Sequence, residues 1–344
     1  MSRLNFENLR VFSYLFLIFL ISRIFYYEFF NIKFDGWTLD IYWQFFPKEL
    51  LRNELIDSLI YNHYQPPFLN LLVGLLMKVS ENYIFLLQLI YLLSGLSAIF
   101  FIYLICNQFQ FSKNFSFIIS SALLLLPTTI LYENHLYKEY LTFLFVLWLF
   151  YFTLKSLNNG NSFYNIINIS ISLSLLCLTR ETFHIFWGYI LIFFIHKNFN
   201  LSKKITLLII FTSIVSPFYI KNLILFNKFG INVSSVYEHL NQKIDYIKEM
   251  EDPERHQKIR EFSFGSHKDY QNFKKKTSEI YDIPLYTSAF TYKDFFKHQY
   301  LYKNELLQSN TSFNEIWIEV NKYRKKDFLL ILKEYPSLLL LNIL

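Results

Sequence analysis

Seven apolar runs of 13 to 24 residues, at 11–30, 83–106, 115–132, 140–157, 163–179, 183–195 and 205–219, follow one another through the first two thirds of the chain. A helix needs about 17 to 25 mainly apolar residues to cross the hydrocarbon core of a bilayer, and these runs reach or approach that length. The expected fold class is therefore an all-α integral membrane protein of about seven to eight transmembrane helices. Composition points the same way. At 53% hydrophobic and 17% charged, against roughly 25% charged in soluble domains, the chain has too little polar surface for a soluble enzyme.

The charges that remain are unevenly placed. Residues 221–327 hold 18 Lys or Arg and 15 Asp or Glu, 33 of the chain's 60 charges. Both signs interleave, which suits a solvated extracytoplasmic loop and not the one-sided basic stripe of a nucleic-acid partner. Within it, Lys274, Lys275 and Lys276 read as a solvated helix face. The seven glycines form no GxGxxG or GxxxxGK[ST] pattern, so no phosphate-cradling loop is expected. Cys106 and Cys177 sit singly in apolar runs and read as packing residues. The expected organisation is a transmembrane core at 1–220, a charged extracytoplasmic region at 221–327, and the start of a further, truncated span at 328–344, where Tyr335-Pro336 precedes eight last residues.

Arg3 and Arg10 precede the first run, and no small-residue cleavage site follows it, so it reads as a retained anchor with its N-terminus inside. Residues 31–82 then emerge on the outer face. The run 66–79 is only 14 residues long and opens with Pro66-Pro67; it is expected to lie at the interface without crossing. On that count Lys113, Lys155, Lys197, Lys203 and Lys204 fall inside, in moderate agreement with the positive-inside rule. Tyr26, Tyr27, Trp37, Tyr42 and Trp43 crowd the outer boundary, as rings with a polar edge do at a headgroup layer.

Ionisable side chains at the membrane's edge are costly unless paired or wet, which makes them functional candidates. Four outer elements carry them: Asp35 to Asp40 after the first run, His63 before the proline pair, Glu133 to Glu139 in the second loop, and Arg180 with Glu181 in the third. Arg23 reads as a residue that snorkels to the interface. Gathered at one level, carboxylates and a guanidinium suit group transfer from a lipid-phosphate donor. A carboxylate takes the acceptor's proton, and a guanidinium holds the departing phosphate by paired hydrogen bonds. Each residue also has a plain structural account. Asp40 suits a helix N-cap, Asp35 with Gly36 a turn, Glu139 the start of the next helix, and Arg180 a pair with Glu181.

The order of these elements resembles the GT-C superfamily of polytopic glycosyltransferases, in the branch of protein O-mannosyltransferases and lipid A aminoarabinose transferases. The matching positions are Asp40 or Asp35, His63 with Pro66-Pro67, Glu139 or Glu133, and Arg180. The segment from Pro217 to Asn222, followed by Phe226 to Gly230, resembles that family's seventh-span exit. The resemblance covers roughly residues 10–240. It implies a GT-C-like bundle with outer interfacial helices and an inverting transfer of a sugar from a polyprenyl-phosphate donor to an acceptor lipid, glycan or protein. It implies catalytic roles for Asp40, Asp35 and Glu139, with the first-loop Asp as base, and contacts to substrate or lipid phosphate by His63, Arg180, Lys138 and Glu133. No cofactor is required by the sequence, although Mg²⁺ or Mn²⁺ on the carboxylates is compatible with it. The expected location is multi-pass in a bacterial inner or cell membrane, among membrane lipids, with the site on the extracytoplasmic face. Two other classes compete: a transporter or flippase of lipid-linked sugars, which would want charge mid-membrane, and a non-catalytic assembly subunit.

Overall fold

The computed structural model describes residues 4–36, 38–41, 45–46, 48–62, 65–159, 162–195, 199–226 and 229–230. Regular structure among them is helical: α1 (Leu4–Phe30), α2 (Thr38–Ile41), α3 (Lys48–Asn53), α4 (Leu55–Tyr61), α5 (Phe68–Val79), α6 (Tyr83–Gln108), α7 (Lys113–Leu125), α8 (Pro127–Glu133), α9 (Lys138–Asn159), α10 (Phe163–Thr179), α11 (Ile185–Ile195) and α12 (Leu201–Phe226). One isolated β-bridge joins Asp35 to His135.

Among the described residues four helices are long and apolar enough to cross a membrane, over Leu9–Phe30, Tyr83–Gln108, Lys138–Asn158 and Leu201–Leu225. Their outward faces are apolar too. Leu17, Ile21 and Ile24 of α1 are more than half exposed, and a helix that is apolar all round needs lipid against its free side. The all-helical membrane character expected from the apolar runs is thus present. The finer count of seven to eight spans is not reached by length, because α10 and α11 have 17 and 11 residues.

The run 115–132 departs from a single straight span. It is two helices, α7 and α8, bent by 60°. Pro127 causes the break: it lacks an N–H and forces the preceding Leu126 into extended backbone (φ −60°, ψ 127°), then opens α8 in its first turn. If the bent pair counts as one span, the total is five. α1 stops where Asn31 turns left-handed at φ 51°, a conformation asparagine tolerates. Ser112 and Ser162 cap α7 and α10, accepting from the N–H groups of Phe115 and Asn165 at 3.3 and 3.2 Å. α5 has 12 residues, about 18 Å at helical rise, well short of a ~30 Å hydrocarbon core.

The chain divides into two compact units, Met1–Leu39 with Pro66–Pro217, and Asp40–Gln65 with Phe218–Leu344. In the first, α9 packs between α6 and α10. Leu15 and Phe19 of α1, Ile99, Ile102, Tyr103 and Cys106 of α6, and Leu124 of α7 form a buried cluster. Cys177 of α10 is also buried, and both cysteines are free thiols. α10 buries Ser170, Ser172 and Ser174 completely. Their hydroxyls donate to carbonyls one turn back at 2.7–2.9 Å, so a polar sequence is accommodated in an apolar setting.

In the second unit the Lys221 ammonium donates to the carbonyls of Leu59, at 3.2 Å, and Asn62. Those carbonyls end α4, where a cation is favoured. The Asn62 side chain closes a turn onto Gln65, donating to its carbonyl at 2.7 Å and accepting from its N–H at 3.0 Å. Residues 221–226 continue α12. The rest of the expected charged region, apart from 229–230, and all of 328–344 lie outside the described residues.

Candidate functional site

After α1 the chain is stitched to the segment that leads into α9. The Asp35 N–H donates to the Asn134 carbonyl at 2.8 Å, and the Leu136 N–H donates back to the Asp35 carbonyl at 3.2 Å. The Thr38 hydroxyl donates to the Leu136 carbonyl at 3.2 Å, and the Tyr27 hydroxyl to Asn134 Oδ1, also at 3.2 Å. Main-chain bonds of this kind hold a loop irrespective of its side chains, so the Asp35 carboxylate is left at the surface. Its Oδ2 lies 3.6 Å from His135 Nδ1.

Two further ion pairs join the start of α9 to the turn after α10. Lys138 Nζ is 3.2 Å from Glu181 Oε2, and Arg180 Nη1 is 3.7 Å from Glu139 Oε1. Arg180 is the C-cap of α10, and the Phe183 N–H bonds its carbonyl at 3.1 Å to tighten the turn. Adjacent residues Arg180 and Glu181 therefore each reach across to α9, a different pairing from the local one. Lys138 is buried, with its ammonium directed to Glu181. Arg180 and Glu139 are about one-third exposed, which makes Arg180 the accessible cation of this cluster. Glu139 Oε2 is buried without a hydrogen-bond partner. Such orphaned acceptors are rare and call for an explanation.

Glu133 stands apart from this cluster. Arg23 grips it with two bonds, Nε to Oε1 at 2.9 Å and Nη2 to Oε2 at 2.7 Å, and the Tyr140 hydroxyl donates to Oε2 at 3.0 Å. The remaining Arg23 nitrogen, Nη1, donates to Ser22 Oγ and to the Leu124 carbonyl at 2.9 and 3.0 Å. The arginine thus satisfies a carbonyl beside the α7–α8 break. Glu133 has both oxygens committed inside the bundle, and Arg23, expected to snorkel, is 5% exposed and paired. The network also explains Gly95 on α6, since a Cβ there would collide with the Glu133 carboxylate and the Tyr140 hydroxyl. Gly95→Ala is expected to lower stability by about 1–3 kcal/mol through overpacking, read as a fall in the midpoint of thermal unfolding in detergent.

Two cavities are lined by residues of these elements. One of about 310 Å³ is lined by Thr128, Thr129, Tyr132, Glu139, Tyr140 and Phe143. The other, about 380 Å³, begins two residues past Arg180 and is walled mainly by Leu149, Leu173, Phe183, Trp187 and Leu191. His184 lines it as well. Burial lowers its pKa, favouring the neutral ring, whose Nδ1 accepts the Phe186 N–H at 3.3 Å.

Of the residues picked out in the sequence, Asp35, Lys138, Glu139 and Arg180 therefore belong to one compact unit with their partners His135 and Glu181. Asp40 lies in α2, but its side chain is outside the described residues, as is all of His63. Sequence reasoning gave no role to His135 or Tyr140 and paired Glu181 with Arg180 and not with Lys138, because the signal in each case is a partner many positions away or across a loop. No group of three or more His, Cys, Asp or Glu able to hold a metal occurs among the described residues. Comparison with protein families, curated proteins and solved structures finds no match to this chain.

Proposed function

We propose that the protein is a GT-C-like membrane glycosyltransferase, with a bundle of seven to eight spans, that moves a sugar from a polyprenyl-phosphate donor to an acceptor lipid, glycan or protein on the extracytoplasmic face. The observation that carries this is the meeting, within one unit, of the Asp35 loop, the Lys138-Glu139 start of α9 and the Arg180-Glu181 turn. These elements combine carboxylates with an accessible guanidinium, and the residues that follow the Arg180-Glu181 turn line an apolar cavity.

In the proposed reaction the acceptor oxygen attacks the anomeric carbon from the face opposite the phosphate. The bond from that carbon to the phosphate oxygen breaks, and polyprenyl phosphate leaves with the bonding pair. The acceptor proton passes to the first-loop carboxylate, Asp40 or Asp35. Arg180 holds the departing phosphate, and a divalent ion on the carboxylates is compatible with the scheme. The cavity walled by Leu173, Phe183 and Trp187 accommodates the first isoprene units. A flippase would want a charge free to change partners inside the bundle, whereas Arg23 and Glu133 satisfy one another there.

The test uses the full chain purified into lipid nanodiscs and supplied with polyprenyl phosphates carrying labelled mannose, glucose, galactose or arabinose. Transfer of label to lipid or peptide acceptors is expected. Arg180→Ala is expected to weaken binding of bare polyprenyl phosphate about 10- to 100-fold, the usual loss for a charge-assisted bond. No transfer, together with undiminished carrier binding by Arg180→Ala, sinks the proposal.

A further inference from the structure

We infer that the cavity between α8 and α9 is a subsite for the sugar ring of a lipid-borne ligand, with Glu139 Oε2 as the acceptor for one of its hydroxyls. This rests on the lipid-linked donor proposed above and assigns the part of the donor that Arg180 does not hold. The cavity, about 310 Å³, lies at the small end of ligand pockets, roughly 300–1,000 Å³. That suits one ring and not a lipid headgroup with its chains.

Its chemistry is that of a carbohydrate site. Thr128 and Thr129 offer hydroxyls that donate and accept, and Tyr132, Tyr140 and Phe143 offer flat apolar faces. Tyr140 is held rigid by stacking on Tyr91, with centroids 6.1 Å apart at 13°, and by its bond to Glu133 at 3.0 Å. Its hydroxyl is thereby committed, so it does not satisfy Glu139. Arg180 engages Oε1 at 3.7 Å, and Oε2 stays buried with no partner. Glu139 lines a cavity walled by hydroxyls and rings, and a ligand O–H that enters there would complete its unpartnered oxygen.

Entry is from the bilayer side. Tyr132 and Phe143, which line the cavity, are exposed, on a chain whose long helices present apolar faces outward. A ligand reaching Glu139 therefore passes apolar surface, as a sugar tethered to an isoprenoid does and a free sugar does not. Since Glu139 also touches Arg180, the anomeric phosphate falls on the arginine side and the ring on the cavity side.

The experiment compares affinities of the full chain in nanodiscs for bare polyprenyl phosphate and for the same carrier bearing mannose, glucose, galactose or arabinose. For the wild-type chain at least one sugar is expected to raise affinity about tenfold or more. In Glu139→Met that ratio is expected to fall close to one, and in Thr129→Val, which leaves the ion pairs intact, to fall about threefold. The inference is overturned if no sugar improves wild-type binding, if Glu139→Met keeps the full ratio, or if Thr129→Val folds normally and also keeps it. A chain that shows the Glu139-dependent ratio but transfers no sugar retains the subsite and loses the transferase proposal.

Discussion

Asp40→Asn is expected to lower sugar transfer by about 10²- to 10⁴-fold, the usual contribution of a positioned general base, while polyprenyl phosphate still binds. Asparagine keeps the shape of the side chain and removes its ability to take a proton. Asp35→Asn is the paired control. Asp35 anchors its loop through main-chain bonds to Asn134 and Leu136, which the change leaves intact, and its carboxylate faces His135 at 3.6 Å. Initial rates at saturating donor are expected to stay within about tenfold of wild type for Asp35→Asn. Wild-type turnover by Asp40→Asn rules that residue out as base, and a large loss in Asp35→Asn transfers the role to it.

The second large effect concerns stability. Arg23 and Glu133 are almost completely enclosed, so removing either partner strands the other charge away from water. Arg23→Met or Glu133→Leu alone is expected to cost about 3–5 kcal/mol, whereas the double replacement recovers much of the loss, because two apolar side chains of similar volume need no desolvation. The single change at Arg23 also deprives the Leu124 carbonyl of its donor, at a point where Pro127 has already broken the helix. Unfolding in detergent, analysed as a double-mutant cycle, measures the coupling. Single-variant losses under about 1 kcal/mol would mean that the pair does not hold the bend.

Much of the helical framework was legible along the chain. The run 83–106 appears as α6, 140–157 as α9, and 163–179 as α10 with the same two ends, because unbroken apolar residues of that length fold into helices wherever lipid or a bundle takes them. The run 115–132 was legible in composition, and the bend within it follows from Pro127. Less legible was how many of these helices cross, since α10 and α11 are apolar but short, and α10 is buried against α9.

The charged residues behaved differently. As a set, the ionisable groups near helix ends could be picked out, because such groups are few in an apolar chain and expensive to place. Their partners could not. Arg23 meets Glu133 across 110 positions, Lys138 meets Glu181 across 43, and Arg180 takes Glu139 over its neighbour Glu181. Local rules are silent at such separations, since a carboxylate and a guanidinium attract identically whatever their spacing. Hydropathy along the chain dictated that it would be helical and lipid-seeking, for burial of apolar surface is a property each segment carries with it. Which acid became an enclosed clamp and which was left with an unpartnered oxygen depended on how α1, α8, α9 and α10 came together, because electrostatic pairing is a property only of neighbours.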